Sequence, residues 1–199
     1  MGRRSDHSRA ELEALIVEQG HLLMAEVGFG RFSAREVAKR VGYSVGTIYN
    51  VFGSSDRLVL AINTRTFVLW ADHLRGRLKS AGKDRIAALV SGYFGFARGY
   101  PNLWMAIYDH RLPAGMAMPP EDAATRAVLT GIVAEEIARA LGEVQSKDLA
   151  ALTRSLVATV HGHCHFALTG AFALMGEADP ESAALARVRE TLSAARSAG

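Results

Sequence analysis

Residues 41–58, VGYSVGTIYNVFGSSDRL, set three glycines around a short run of apolar and hydroxyl side chains. Ser44 can cap a helix that Gly53 ends, which confines that helix to about two turns. Just upstream, Ser33 and Glu36 have the S-x-x-E spacing of a capping box and predict another short helix, ending at Gly42. Two short helices joined through a glycine turn are typical of a helix-turn-helix motif.

The rest of the chain also follows helical periodicity. Apolar residues repeat with the 3.6-residue period over residues 8–27 and predict an amphipathic first helix. Later segments predict six further helices, at about 56–81, 84–99, 102–109, 121–141, 147–174 and 180–196. No run of useful length has the strand period, so we expect an all-α fold of about nine helices. The helices lengthen after residue 57, which predicts a helix-turn-helix domain over 1–57 and a larger helical domain over 58–199.

Composition fits a folded helical protein and argues against a secreted protein and against a membrane-spanning one. The 199 residues are 49% hydrophobic and 22% charged, and the one cysteine, Cys164, excludes an internal disulfide. The first residues, MGRRSDHSRAELEAL, lack the apolar region of a secretory signal, so we expect a cytoplasmic protein. Residues 155–175 carry no Asp, Glu, Lys or Arg, but their three histidines favour a helix buried in protein over one that spans a membrane.

The short helix after Ser44 has the residues that a recognition helix needs. Such a helix enters the major groove by its N-terminal end, where small side chains let the backbone approach base edges. Val45, Gly46 and Thr47 meet this requirement, and Thr47 offers a hydroxyl and a methyl group to a base. Phosphate contacts are expected from two neighbouring side chains and from three helix starts, at Tyr49, Asn50, Ser33, Ser44 and Ser55.

Residues 22–58 resemble the N-terminal domain of the tetracycline-repressor (TetR) family. The matching positions are Leu23, Met24, Glu26, Gly28, Ser33, Val37, Ala38, Gly42, Tyr43, Ser44, Gly46, Thr47, Ile48, Tyr49 and Phe52. The resemblance implies a homodimeric transcription regulator, usually a repressor, that binds a double-stranded DNA operator. It also implies a helical domain that binds a small-molecule effector and dimerises through the last two long helices.

Two positions depart from the family pattern. Ser55 stands where the family usually has a lysine that anchors a phosphate, so that charged contact is absent here. Gly20 stands where alanine is usual and is expected to cost the first helix up to about 1 kcal/mol.

The C-terminal half offers candidates for an effector pocket. Residues 155–172, SLVATVHGHCHFALTGAF, resemble a subgroup with a Trp-x-x-x-His-Gly signature, with Val157 in place of the tryptophan. Aromatic and soft apolar side chains at helical spacing favour a largely apolar effector with a few polar contacts. The predicted effector-binding residues are Phe67, Phe94, Trp104, Met105, Tyr108, His161 and His165.

The histidines of residues 161–165 raise two alternatives to an organic effector. His161 and His165, four residues apart on one helix face, could bind one zinc or copper ion, but this segment alone cannot supply a closed four-ligand site. A histidine-dependent enzyme lacks support, because the sequence has no phosphate loop, nucleophile elbow or His-Glu-x-x-His motif. We therefore expect no catalytic residues, no resident metal and no cofactor.

Overall fold

The structure, a computed structural model, describes residues 7–142 and 148–197 and is all-helical over these ranges, which confirms the predicted fold class. The described residues form one 3-10 turn, Phe29–Arg31, and ten α-helices rather than about nine. The helices are α1 Arg9–Val27, α2 Ala34–Val41, α3 Val45–Phe52, α4 Ser55–Lys79, α5 Arg85–Gly99, α6 Pro101–Asp109, α7 Pro120–Leu141, α8 Leu149–Leu168, α9 Ala171–Met175 and α10 Pro180–Ser197.

The chain separates into two compact units. The first contains the chain up to Phe67 together with Tyr100–Thr125, and the second contains Val68–Gly99 together with the chain from Arg126. The predicted boundary between residues 57 and 58 falls in the first turn of α4, and α4 contributes residues to both units. The boundary between the DNA-binding and effector-binding domains remains a prediction.

Local capping explains the short helices of the first unit. The Ser33 hydroxyl accepts a hydrogen bond from the Glu36 backbone N–H (3.3 Å), while the Glu36 carboxylate lies 3.6 Å from Lys39. A reciprocal capping box is instead made by Ser8 and Glu11, at the start of α1. Gly42 ends α2 at a φ of 76°, a left-handed conformation that glycine adopts without a steric penalty.

The core of the first unit lies where α1 packs against α2, α3 and α6. The 3.6-residue period predicts Val37, Ala38 and Val41 as the inner face of α2; Val37 and Ala38 are buried, while Val41 is half-buried. Apolar side chains from several helices complete this core, among them Ile16, Leu23, Met24, Ile48, Phe52, Leu103 and Trp104.

The second unit is built around α5, α8 and α10. Trp70 stacks on Phe96 with ring centroids 4.9 Å apart, and Tyr93 meets Trp70 edge-on at 4.8 Å. Gly92 lets α5 approach α4 closely, since a Cβ there would lie 2.8 Å from Leu74 Cδ2. These contacts place aromatic side chains from α4 and α5 in one cluster.

The predicted helix over 147–174 is wrong at its C-terminal end. The structure ends α8 at Leu168, and Gly170 adopts a φ of 80° before the separate helix α9 begins. A left-handed glycine stops the helix even though the surrounding run is apolar. The predicted start at Lys147 lies outside the described residues.

Candidate DNA-binding site and effector-binding residues

The helix α3 is anchored by one face and exposed on the other. On the inner face of α3, Ile48 and Phe52 are buried. On the outer face, Tyr49 is 44% exposed and Asn50 is exposed. At the N-terminus the Ser44 hydroxyl accepts from the Thr47 backbone N–H (3.2 Å) and lies 3.1 Å from the Thr47 hydroxyl. The structure thus brings the predicted residues 44–50 together on one short element, with their hydroxyl groups ordered by a cap.

Within the described residues, neither the backbone conformation nor the packing requires a glycine at position 46. It lies in α3 without a positive φ, and a Cβ there would lie 3.5 Å from the Ser44 hydroxyl, an ordinary contact distance. Alanine is favoured over glycine inside a helix by about 1 kcal/mol. The exposed glycine therefore leaves the first turn of α3 open to close approach, as a recognition helix requires.

Two more predicted residues lie at exposed helix starts of the first unit. Ser33 is the N-cap of α2, and Ser55 is the first residue of α4. The cap of α4 is provided by Ser54, whose hydroxyl accepts from the Arg57 backbone N–H (3.2 Å). Both helix starts orient backbone N–H groups of the kind that bind phosphate oxygens.

The cations of the first unit divide into bound and unpaired groups. Arg40 donates to both carboxylate oxygens of Glu26 (2.9 and 2.5 Å) and ties α2 to α1, and this guanidinium lowers the pKa of the Glu26 carboxyl. Arg35 and Arg57 are exposed and have no ion-pair partner within residues 7–142 and 148–197. Arg40 therefore serves the fold, while Arg35 and Arg57 remain available for an anion.

Sequence reasoning missed the contacts that α6 makes around the helix-turn-helix. The Asn102 side-chain amide donates to the Ala25 carbonyl at the end of α1 (2.8 Å), and Asn63 of α4 donates to the Ala106 carbonyl of α6 (3.1 Å). His110 Nε2 lies 3.2 Å from Asp56 Oδ1 in the first turn of α4. These partners are 43 to 77 residues apart, so no local sequence pattern predicts the contacts between them.

The predicted effector-binding residues fall in both units. In the first unit Phe67 and Met105 are half-buried, and the buried ring of Trp104 lies 5.2 Å from that of Tyr108, which is 40% exposed. In the second unit Phe94 is buried and lies 5.2 Å from the Arg98 guanidinium carbon. The structure therefore pairs Trp104 with Tyr108, but a pocket shared by all seven residues stays a prediction.

The histidines of α8 form a small polar cluster in the second unit. The rings of His161 and His165 are 5.8 Å apart, and His161 Nδ1 lies 3.0 Å from the Tyr93 hydroxyl. Burial, helped by His165, lowers the pKa of His161 and favours its neutral form. Tyr93 was not among the predicted residues, although it stands in an aromatic run at 93–96.

The metal alternative gains no third ligand from the structure. Within residues 7–142 and 148–197, no group of three or more His, Cys, Asp or Glu is placed to hold an ion. Burial raises the pKa of the Cys164 thiol to about 12 and favours its protonated form.

The uncharged run of residues 155–175 does not produce a membrane-spanning helix. Among the helices of the described ranges, none is both long enough and apolar enough to cross a bilayer.

The capped helices α2 and α3, with α1 packed against them, define a helix-turn-helix protein. The family described as bacterial regulatory proteins, tetR family, matches residues 16–62, and the tetracyclin repressor-like C-terminal domain matches residues 86–191, more than half of the chain. The chain therefore belongs to the TetR family, whose matching models and relatives are named as transcriptional regulators and not as enzymes.

Individual relatives agree with this assignment. The HTH-type transcriptional regulator Rv1816 of Mycobacterium tuberculosis (strain ATCC 25618 / H37Rv) is 26% identical over 154 residues, which cover 74% of this chain and 65% of the relative. The chain thus spans slightly less than two thirds of the length of this curated relative.

Two solved structures share the fold. One is a protein of unknown function from Rhodococcus sp. RHA1, with a TM-score of 0.72, 19% identity and coverage of 97% of this chain and 98% of that one. The other is RolR (NCGL1110) in complex with the ligand resorcinol, with a TM-score of 0.69, 17% identity and coverage of 95% and 93%. At these identities the likeness shows a common fold alone.

Proposed function

We propose that this regulator is a homodimeric repressor that binds a pseudo-palindromic operator through residues 45–50 and is released by a small, largely apolar effector. The observation that carries the proposal is the short helix α3, which has 8 residues. Its inner residues Ile48 and Phe52 are buried in the core, and on its exposed side lies a glycine, Gly46, that the fold does not require. In the cell it would act in the cytoplasm, where its operator lies.

The DNA contacts divide by the chemistry of the side chains. Val45, Gly46 and Thr47 would face base edges, because they are small and lie in the first turn of α3. Contacts to the phosphate backbone would come from exposed polar side chains and helix starts, at Ser33, Ser44, Tyr49, Asn50 and Ser55.

Exposed apolar side chains near the end of the chain support a homodimer. Phe166 of α8 is 43% exposed, and Leu174 and Met175 of α9 are 92% and 67% exposed. Leu174 and Met175, adjacent in sequence, are the most exposed of the large apolar side chains in the described residues, and burial against a second copy would remove them from water. Dimerisation through α8 and α10, as the family resemblance implies, would place two recognition helices about 34 Å apart, one turn of DNA.

The second unit offers a polar contact for a small aromatic effector. The hydroxyl of the buried Tyr93 lies 3.0 Å from Nδ1 of the half-buried His161, and Trp70 packs against the Tyr93 ring. RolR, which shares the fold, binds resorcinol, an aromatic ring with two hydroxyl groups. An effector of that general kind matches a site with aromatic walls and one hydrogen-bonding pair.

If effector binding shifts α6, the contacts of α6 would transmit that shift to the helices around the helix-turn-helix. Asn102 binds the end of α1, and His110 lies against the first turn of α4. A shift of α6 would therefore move elements on both sides of the helix-turn-helix. Coupling free energies between such sites are typically about 1 to 3 kcal/mol.

Gly46→Ala tests the proposal without unfolding the protein. The added methyl group gains helix propensity of about 1 kcal/mol and meets no tight contact in the free chain. On the operator the same methyl would crowd a base edge at a cost of about 1 to 3 kcal/mol, which is roughly a 5- to 150-fold loss of affinity. The assay is titration of the protein's own upstream DNA at fixed salt.

The matched control is Gly76→Ala, at an exposed glycine inside α4 where the added methyl group would enter open space. Both variants should be at least as stable as the wild type, and only Gly46→Ala should lose DNA affinity. If Gly46→Ala binds DNA as tightly as the wild type, the first turn of α3 does not contact the bases and the proposal is wrong.

A further inference from the structure

The second unit contains a cleft that the proposed function does not use. It has a volume of about 720 Å³ and lies between the end of α4, the start of α5 and the C-terminal half of α7. Ligand pockets commonly measure about 300 to 1,000 Å³. Its apolar lining includes Leu78, Val128 and Ile132, of which Val128 is 41% exposed. None of the predicted effector-binding residues lines it.

The base of the cleft is a buried carboxylate held by two guanidiniums. Glu136 is 5% exposed and accepts from Arg85 Nε and Nη2 (2.6 and 2.7 Å) and from Arg139 Nη1 (2.6 Å). Arg85 also donates to the Leu78 carbonyl at the end of α4 (3.2 Å). Two positive charges thus pair with one negative charge, and the Arg139 side chain, which is 59% exposed, reaches the cleft beside Glu136.

The mouth of the cleft adds further positive charge. Lys79 lines it, is exposed and has no ion-pair partner in the described parts of the chain. Arg75 also lines the cleft. It forms an ion pair (3.0 Å) with Asp72, a residue that does not line the cleft. Four cationic and two anionic side chains therefore line the cleft.

We infer that this cleft binds an amphipathic organic carboxylate, with the carboxylate between Lys79 and Arg139 and the apolar part over Leu78, Val128 and Ile132. Guanidinium and ammonium groups form strong charge-assisted hydrogen bonds with a carboxylate. The apolar lining, rather than the charge, distinguishes such a ligand from a small inorganic anion such as phosphate, which has no apolar part to bury. The site is independent of the aromatic effector residues and does not require the proposed repressor function.

The probe is decanoate below its micelle concentration, titrated into the full chain by calorimetry at low salt. Decanoate should bind, whereas inorganic phosphate and the uncharged 1-decanol should bind at least tenfold more weakly. Lys79→Gln and Arg139→Gln should each raise Kd about three- to fivefold, because an exposed ion pair is worth up to about 1 kcal/mol. Raising the salt concentration should also weaken binding, because both cations are exposed.

Lys83→Gln is the matched control, since Lys83 is exposed on the same unit but does not line the cleft. Arg139→Gln leaves Glu136 bound by Arg85, so the fold retains its buried ion pair. The inference is overturned if decanoate fails to bind, if the two cleft variants bind it as well as Lys83→Gln does, or if phosphate binds equally tightly. None of these readouts involves DNA, so they are separate from the test with Gly46→Ala.

Discussion

Replacing Gly20 with alanine sets helix propensity against packing in the first unit. Gly20 is buried in the middle of α1, and an added Cβ would lie 2.6 Å from Ile62 Cδ1 and 3.2 Å from Ile62 Cγ1. Ile62 is fully buried in α4, so its side chain has little room to move. The sequence alone indicates that Gly20 weakens α1, and the structure shows what the glycine provides in return, a close approach of the two helices.

The two effects can be compared in magnitude. Alanine in a helix interior gains about 1 kcal/mol over glycine. Non-bonded carbons rest about 3.5 to 4.0 Å apart, so Cδ1 must move about 1 Å, and such overpacking costs about 1 to 3 kcal/mol. Gly20→Ala should therefore be neutral or destabilising by up to about 2 kcal/mol, whereas Gly76→Ala, with open space, should show the propensity gain alone.

A double-mutant cycle with Ile62→Val isolates the steric part. Ile62→Val removes Cδ1, the atom of the closest contact, at a cost of about 0.5 to 1.5 kcal/mol on its own. The double variant should be about 1 kcal/mol more stable than the sum of the single changes predicts, measured by denaturant unfolding of all four proteins. Additive free energies, or a Gly20→Ala protein as stabilised as Gly76→Ala, would refute the packing explanation.

Two buried titratable groups predict how stability changes with pH. Burial, helped by the charge of Arg65, lowers the pKa of His21 to about 4, so folding favours its neutral form. As pH falls from about 6.5 toward 4, the wild type should lose up to about 3 kcal/mol of unfolding free energy that His21→Gln does not lose. Arg85 lowers the pKa of the Glu136 carboxyl, so its stabilisation is present above the ordinary value of 4.5 and is lost as pH falls below it. In denaturant titrations Glu136→Gln should be less stable than the wild type near neutral pH, with the difference shrinking below pH 4.5; a constant difference would contradict the ion-pair account.

The short helices could be predicted because their signals are local. The cap at Ser44 and the turn at Gly42 involve partners within a few residues, and the structure shows both. The burial of Val37 and Ala38 follows in the same way from helical periodicity. Elements defined by contacts at short sequence separation are the ones that a sequence describes well.

The break after Leu168 shows where local signals compete. Residues 155–175 carry no Asp, Glu, Lys or Arg, and this run favours one continuous helix, whereas Gly170 favours a stop. The stop prevails because a left-handed glycine can cap α8 and begin α9 within a few residues. Apolar composition therefore overestimated the length of this helix.

The contacts of the residue next to Ser55 change how the missing phosphate anchor is interpreted. The sequence shows only that a basic phosphate anchor is absent there. The structure adds that Asp56, the next residue, lies 3.2 Å from His110, whose side chain is 4% exposed and whose ring lies 5.8 Å from that of Phe29. The start of α4 is thus fixed by α6 and the 3-10 turn. In the proposed function, serine at position 55 leaves this region with less positive charge for phosphate, so its phosphate contacts would be weaker and would depend more on the position of α6.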